Sequence, residues 1–351
     1  MLGGKKTRVV EKRDFSELIA RIISSGTDVY APVRQENGAN FKRIKSVDDV
    51  VWGRPQTVIP PKFLMFPQSE TLLKYETDGG VSVSPVVESR PAVLLGAHPC
   101  DINAIFLLDK VFSEKNVDEN YVRRRENVTI VGVECLEPCS NESFCSRKDS
   151  AMPWGGYDLF LTDIGDRFYV EIGTKKGETF LAGSGRKPSG DEKRRLKIQR
   201  EKKDRLFDRR QKKLKPELKD LPKLLRERYD SEVWRKRGER CLSCGSCNIV
   251  CPTCYCFDVR DCLDLNLRNG ERFRSWDGCM LTDFTRVASG EVFREDRGAR
   301  LRHRTNRKDL YLFEKWKRTF CTGCGRCNTA CLTKIVSPLE IENELYAEAR
   351  K

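Results

Sequence analysis

The sequence predicts an α+β protein with an N-terminal α/β domain over residues 1–182, a basic helical linker over 183–240 and a cysteine-rich C-terminal domain over 241–351. Three observations lead to this division. Two β-rich apolar runs enclose a segment with helical spacing, the basic charge is concentrated in one segment, and two cysteine runs of equal spacing occupy the last third. A chain of 351 residues is long enough for two domains.

The N-terminal part contains the regular patterns of an α/β domain. Residues 14–17 favour a capping box that begins a helix ending near Ile23. Residues 92–97 and 128–133 are near-continuous apolar runs, which is typical of buried parallel strands. Residues 101–112 have helical spacing, so the three segments predict a right-handed βαβ unit. Alternating residues on both sides of Gly165-Asp166 predict a hairpin.

The middle of the chain carries most of the excess charge. A Gly/Ser/Pro stretch at 183–190 predicts a linker, and residues 186–240 hold 23 Lys/Arg against 11 Asp/Glu in a chain of net charge +14. Three interpretations are open: a solvated helical arm, a docking arm for an acidic partner subunit or a soluble ferredoxin, and a nucleic-acid-binding segment. Few aromatic residues are interleaved with the charges, so base stacking has little support.

Two cysteine runs, beginning at Cys241 and Cys321, both have the spacing C-x2-C-x2-C-x3-C. In bacterial two-cluster ferredoxins the fourth cysteine of such a run binds the other cluster. The first site is therefore predicted to use Cys241, Cys244, Cys247 and Cys331, and the second site Cys321, Cys324, Cys327 and Cys251. The C-terminal part is then a bacterial-type two-[4Fe-4S] ferredoxin-like domain.

The two runs lie further apart than a minimal ferredoxin requires. Sixty-nine residues separate Cys251 from Cys321, which predicts an insertion between the two motifs. A zinc site needs two C-x2-C pairs and has no use for a third cysteine at the same spacing. Leu332 stands where a proline usually follows the second run, but that proline is not a ligand.

Four further cysteines are candidates for a third site. Cys100 follows the first predicted parallel strand and Cys135 follows the second, and Cys139 and Cys145 lie on the next loop. The carboxyl ends of parallel strands meet at one edge of a sheet, so these thiols could hold a third [4Fe-4S] cluster. They could equally be buried thiols. His98 is a candidate fifth ligand or a hydrogen-bond donor to a ligand.

The remaining cysteines have no predicted metal. Cys254, Cys256, Cys262 and Cys279 are surplus to the two runs and are expected to pack as small apolar residues. The sequence contains no convincing nucleophile elbow, dinucleotide fingerprint or phosphate-binding loop. We therefore expect no independent catalytic substrate site in this chain.

The same residues resemble a known family. The sequence is similar to the iron–sulfur β subunit of cytosolic [NiFe] sulfhydrogenases and to the corresponding iron–sulfur protein of anaerobic sulfite reductases. The similar segments are residues 30–33, 59–62, 96–101, 133–135, 144–145, 251–258, 276–279 and 301–304, together with Trp234.

The resemblance implies a third cluster at Cys100, Cys135 and Cys145. Ser143 stands where the family usually has a cysteine, so Cys139 or His98 would have to complete the set. The resemblance also implies partners: a flavin-containing subunit that handles NAD(P)H and a catalytic metal subunit.

Together these observations predict an iron–sulfur electron-transfer subunit of a multisubunit oxidoreductase. Ligand-like cysteine spacing indicates a reducing compartment, so we expect a cytoplasmic protein of an anaerobe. No apolar run is long enough for a membrane helix, and no secretory signal is recognised near the N-terminus. The alternative hypothesis is a zinc-stapled basic module that binds nucleic acid.

Overall fold

The computed structural model describes residues 6–36, 38–53, 56–77 and 79–351, so part of the basic N-terminus lies outside it. The strands are β1 (Thr7–Glu11), β2 (Asp28–Gln35), β3 (Gly38–Arg43), β4 (Ser69–Glu76), β5 (Ser82–Pro85), β6 (Ala92–Ala97), β7 (Val128–Val133), β8 (Leu159–Asp163), β9 (Arg167–Ile172), β10 (Phe257–Leu263) and β11 (Asn269–Trp276). The helices are α1 (Lys12–Ser24), α2 (Pro99–Phe112), α3 (Glu119–Asn127), α4 (Lys175–Phe180), α5 (Gly190–Arg210), α6 (Leu221–Glu227), α7 (Glu232–Glu239), α8 (Ser246–Ile249), α9 (Arg297–Asn306), α10 (Leu312–Trp316), α11 (Arg326–Ala330) and α12 (Pro338–Glu348).

The N-terminal half is built on a seven-stranded mixed sheet with the order β1-β9-β8-β7-β6-β2-β3. The four central strands β2, β6, β7 and β8 are parallel, and the outer pairs are antiparallel. The predicted βαβ unit and the β8–β9 hairpin are confirmed. Helix α2 lies so close to β7 that a Cβ on Gly132 would be 2.4 Å from the Ile102 side chain.

The predicted start of the first helix was wrong. Helix α1 begins at Lys12, and its N-cap residue Glu11 makes no side-chain capping bond. Strand β1 leads directly into the helix, and the Lys12 backbone N–H donates to the Asp166 carbonyl at 3.3 Å. The neighbouring β8–β9 turn therefore satisfies a free helical N–H that a capping side chain would otherwise have to satisfy.

A second sheet joins distant parts of the chain. Its order is β10-β11-β4-β5, and all of its pairs are antiparallel. The β10–β11 hairpin comes from the segment between the two cysteine runs, whereas β4 and β5 belong to the N-terminal half. Arg274 on β11 reinforces the junction, with its Nε donating to Glu70 at 2.6 Å and its other nitrogens bonding Asp118. The two halves of the sequence therefore share one sheet.

The basic segment forms helices that pack against the rest of the molecule. Helix α5 begins with a capping box between Ser189 and Glu192. The Lys203 side chain is buried, and its Nζ lies 2.8 Å from Glu134 after strand β7. Helices α6 and α7 contribute Leu225 and Trp234 to the core of the C-terminal half. Part of the basic charge is thus used in internal ion pairs, and other residues of α5 remain exposed.

The C-terminal half is a set of short helices around the cysteine runs. Helices α8 and α11 each lie inside one run and pack on each other. Both helices are preceded by a glycine at positive φ, Gly245 (71°) and Gly325 (79°). Within the residues that the structure describes, none of the helices has the length and apolar character needed to cross a membrane.

Candidate iron–sulfur sites

The first site is a cavity of about 370 Å³ between helices α8 and α11. Its lining includes all four predicted cysteines, which are Cys241, Cys244, Cys247 and Cys331. The backbone N–H of Ser243 donates to the Cys241 sulfur at 3.4 Å, and the hydroxyl of Ser246 lies 3.3 Å from the Cys244 sulfur. The turn that begins α8 thus directs polar groups at the sulfur atoms.

The second site is a cavity of about 330 Å³ on the other side of α8 and α11. The predicted set Cys321, Cys324, Cys327 and Cys251 is again part of its lining. Arg304 and Lys308, from the helical segment beginning at α9, also line this cavity. In both cavities the fourth cysteine comes from the opposite run, as the ferredoxin spacing predicts.

The third cavity, of about 290 Å³, lies at the carboxyl end of the parallel strands. Cys100 at the start of α2 and Cys135 after β7 line it, together with Cys139 and Cys145 from the following loop. Ser143 also lines it, and Gln211 Nε2 lies 3.1 Å from the Ser143 hydroxyl and 3.5 Å from the Cys145 sulfur. The structure therefore brings together the four predicted thiols, whereas cluster binding there stays a prediction.

His98 occupies a different position from these thiols. It is the N-cap residue of α2, it is buried, and it does not line the third cavity. Its ring hydrogen-bonds the backbone of Gly53, and its Nδ1 has no partner. Burial lowers the pKa of His98 to about 4, so the ring is neutral at physiological pH. Among the cavity-lining groups it is Cys139 that stands in the fourth place.

The three cavities follow one another through the molecule. Cys324 lines both the second and the third cavity. Cys247 of the first site interacts electrostatically with Cys327 of the second. The first site lies at one end, and its Cys244 is exposed beside the exposed side chains of Leu242 and Leu332. The order is therefore third, second, first, and then the surface.

The electrostatics of the second cavity favour an anionic occupant. Arg304 is 2 % exposed, and its Nε and Nη1 have no hydrogen-bond partner. Lys308 is also buried, and its Nζ donates to the hydroxyl of Thr253 at 2.6 Å. Among the described residues, neither side chain is ion-paired with a carboxylate. Buried cations need a counter-charge, and a thiolate-bound cluster would supply one.

The thiols themselves would be protonated without a metal. Burial raises the pKa of Cys247 and of Cys324 to about 12 and raises that of Cys139 to about 12 as well. Burial also raises the pKa of Cys100 and Cys135 well above the ordinary thiol value. Iron binds thiolates, so metal binding would release these protons. The donor set therefore fits clusters in all three cavities.

The cavity geometry differs from that of a zinc site. Over residues 6–36, 38–53, 56–77 and 79–351, no group of three or more His, Cys, Asp or Glu side chains is placed to hold a metal ion. A single zinc ion requires four ligands at about 2.0–2.3 Å from one point. In a cubane each thiolate binds a separate iron, so the sulfur atoms surround a larger group. The quartets are thus spaced around cavities rather than around a point.

Buried ion pairs that the sequence did not predict hold the cavities in place. Lys148, in the short helical turn that begins at Cys145, places its Nζ 2.7 Å from Glu342 of α12 and 3.5 Å from Asp309. Arg326 of α11 forms a two-pronged pair with Asp101 of α2 at 2.6 and 2.8 Å. Both contacts join residues nearly 200 or more positions apart, which no local spacing reveals.

Comparisons with known proteins agree with this geometry. Residues 240–335 match the model of the 4Fe-4S dicluster domain. The chain is 33% identical over 326 residues to the Sulfhydrogenase 2 subunit beta of Pyrococcus furiosus. That alignment covers 92% of this chain and 93% of the relative.

The chain belongs to the sulfhydrogenase beta-subunit family. The resemblance inferred from the motifs is thereby confirmed. The dicluster match spans both cysteine runs, and the longer alignment extends far into the N-terminal half, where the third cavity lies. No solved structure matches the chain.

Proposed function

We propose that this sulfhydrogenase-family chain is an iron–sulfur electron-transfer subunit of a multisubunit oxidoreductase, with three [4Fe-4S] clusters in series. The observation that carries the proposal is the succession of three four-cysteine cavities, with Cys324 on the wall between the second and the third. When bound, such clusters exchange single electrons at potentials that their surroundings set.

The residues around the cavities have separate roles in this proposal. The twelve cysteines hold the clusters as thiolates. Arg304 and Lys308 lie in the wall of the second cavity, where their charge stabilises an anionic centre and raises its reduction potential. Arg326 lies between the second and third sites, but Asp101 neutralises it, so its effect on potential is smaller. The chain therefore creates different surroundings for similar clusters.

The two ends of the series define where partners would meet the chain. Cys244 is exposed at the first site, and an apolar rim of Leu242 (59 % exposed) and Leu332 (82 % exposed) surrounds it. The relative's name describes a component of a sulfhydrogenase. By analogy, we infer that this chain assembles with a flavin-containing subunit, which handles NAD(P)H, and with a catalytic metal subunit. A soluble ferredoxin is a further candidate partner.

Several expectations from the sequence remain part of this proposal. The division into 1–182, 183–240 and 241–351 stays a prediction, as do the cytoplasmic location and the anaerobic source. The zinc-stapled nucleic-acid module has less support, because Lys203 and Arg200 of the basic segment are engaged by Glu134 within the protein.

The experiment is anaerobic purification of the chain in its native complex. Mass spectrometry of the co-purified proteins is combined with metal analysis of the same sample. We expect a flavoprotein and a catalytic metal subunit in stoichiometric amounts, with iron bound to this chain. A lone chain that carries zinc in place of iron would contradict the proposal.

A further inference from the structure

Three cysteines that the cluster sites do not use lie together beside the second site. Cys254 and Cys256 follow the first cysteine run, and Cys279 lies just beyond strand β11. The thiol of Cys256 is hydrogen-bonded to both Cys254 and Cys279. Cys254 and Cys279 are buried, whereas Cys256 is half-buried. We call these residues the thiol trio.

The backbone on both sides of the trio fixes its position. Phe257 of β10 pairs with Trp276 of β11, and the Asp277 N–H donates to the Cys256 carbonyl at 3.1 Å. The hairpin therefore holds residues 256 and 277 in register. This pairing brings Cys279 back to the segment that contains Cys254 and Cys256, although more than twenty residues separate them in sequence.

Asn248 of helix α8 provides a second constraint. Its side-chain Nδ2 lies 3.5 Å from the Cys279 sulfur and 3.8 Å from the Cys254 sulfur. Its Oδ1 accepts the Met280 N–H at 3.2 Å. The chain beside it is also tight, since a Cβ on Gly278 would lie 2.7 Å from the Asn248 side chain. One amide thus bridges two sulfur atoms of the trio.

A buried cation accompanies the trio. Lys62 is 2 % exposed, and its Nζ donates to the Cys254 carbonyl at 2.7 Å and lies 4.1 Å from the Trp276 ring centre. Other buried lysines of this chain meet carboxylates, as Lys148 and Lys203 do. Within the described part of the chain, no carboxylate lies within ion-pair distance of Lys62. Anionic sulfur at the trio would provide the missing counter-charge.

We propose that the thiol trio is a redox-active dithiol/disulfide site in which Cys256 forms a reversible disulfide with Cys254 or Cys279. Reduction breaks the S–S bond, takes up two electrons and two protons, and leaves two thiols; oxidation reverses this. The inference rests on the proposed function, because the electrons would be exchanged one at a time with an iron–sulfur centre held by Cys251. Cys254 is connected to that ligand through its backbone N–H, which donates to the Cys251 carbonyl at 3.2 Å.

The third thiol gives the site a further step. When Cys256 is linked to Cys254, the Cys279 thiolate can attack the Cys256 sulfur, form a new S–S bond and displace the Cys254 thiolate. Disulfides in reducing compartments are usually transient and catalytic, which suits this arrangement. The half-buried Cys256 also gives protons a path from solvent. The trio therefore couples one-electron carriers to a two-electron step.

The test is differential alkylation of the anaerobically purified, cluster-loaded protein at a series of poised potentials. After denaturation, trypsin releases Cys254 and Cys256 in peptide 241–260 and Cys279 in peptide 275–286. We expect a disulfide within the first peptide or between the two, and its ratio to dithiol should change tenfold for each step of about 30 mV. That slope identifies a two-electron couple.

Four variants separate the roles of the thiols. Cys256→Ser should abolish both disulfides, Cys279→Ser should abolish only the joined peptides, and Cys254→Ser should retain them. Cys262→Ser is the matched control, because Cys262 is exposed on β10 and should behave like wild type. Iron and labile sulfide are measured on every sample, which shows whether each variant has folded and retained its clusters.

Two outcomes would overturn the inference. If Cys256 is alkylated at every potential while iron is fully retained, no disulfide forms and only this inference fails. If Cys256→Ser removes a metal in stoichiometric amount, the trio is a ligand set rather than a dithiol. A wild-type chain that lacks iron would instead overturn the proposed function and remove the electron source.

Discussion

At the residue scale, the charges that are buried most deeply hold the two halves of the chain together. Lys148, Glu342 and Asp309 are all fully buried, and Lys148 is the cation between the two carboxylates. Burial raises the pKa of Glu342 to about 8. The arrangement depends on Lys148, because without it two carboxyl groups would face each other in a dry interior.

We predict that Lys148→Met lowers the free energy of unfolding by about 3–5 kcal/mol, which is typical when one partner of a buried pair is removed. Anaerobic urea titration measures the change. The exposed Lys202 supplies the control, since Lys202→Met should change the value by less than about 0.5 kcal/mol. The double variant Lys148→Met/Glu342→Leu should recover part of the loss. Equal effects of the two single lysine substitutions would refute the structural role.

His303 provides a pH dependence. Burial, assisted by the positive charges of Arg294 and Arg307, lowers the pKa of His303 from 6.5 to about 4. The unfolded chain therefore binds a proton that the folded chain does not, and stability falls as the pH drops from 6.5 to about 4. We expect His303→Gln to reduce this fall by about 1 kcal/mol, after allowance for solvent screening. Unfolding titrations of both proteins at pH 7 and pH 5 measure it, and identical pH dependence would contradict the assignment.

At the element scale, the two short helices α8 and α11 are equivalent in sequence but not in surroundings. Gly245 and Gly325 both precede a ligand-bearing helix at positive φ. A Cβ at Gly245 would meet the Leu281 side chain at 3.0 Å, which can move. At Gly325 it would lie 2.3 Å from the Glu142 carbonyl, in the loop that leads to Cys145. The second motif is therefore packed against the third site's loop.

We predict that Gly325→Ala is more damaging than Gly245→Ala. Both variants pay about 1–2 kcal/mol for the left-handed conformation. Only Gly325→Ala must also displace the backbone at residue 142, so its total cost should reach about 3 kcal/mol or more. Anaerobic unfolding titrations and the iron content of the two variants provide the comparison. Equal losses in both variants would mean that the loop is not packed against the second motif as described.

The crossover of the fourth cysteine gives another test of these elements. Cys331 lies in the second run but lines the first cavity. The electron paramagnetic resonance spectrum of Cys331→Ser should therefore change as that of Cys241→Ser does, and differ from that of Cys321→Ser. A spectrum of Cys331→Ser that matches Cys321→Ser would show that each run binds its own cluster.

Local spacing predicted the first two quartets because three-residue intervals in a short helix place thiols around one cavity. Sheet logic also predicted that Cys100 and Cys135 meet, since both follow parallel strands. The pairing of β11 with β4 could not be predicted in this way, because antiparallel register between residues about 200 apart leaves no local pattern. Lys203 likewise was assigned to a charged arm, and only its buried contact with Glu134 distinguishes it from solvated lysines.

At the scale of the whole molecule, the two cysteine runs and the N-terminal α/β sheet form one continuous arrangement. The shared second sheet, the Arg326–Asp101 pair and the Lys148 network all cross from one half to the other. These contacts fix the second and third cavities side by side. A series of centres requires such fixed spacing, because electron transfer falls steeply with distance.

The most direct test of the account is the iron and acid-labile sulfide content of the anaerobically purified chain. Three occupied sites predict about twelve iron atoms and about twelve sulfides per chain, with four of each per [4Fe-4S] cluster. About eight of each would contradict the third site and leave a two-cluster protein. Zinc without labile sulfide would contradict the central claim that this chain is an iron–sulfur relay.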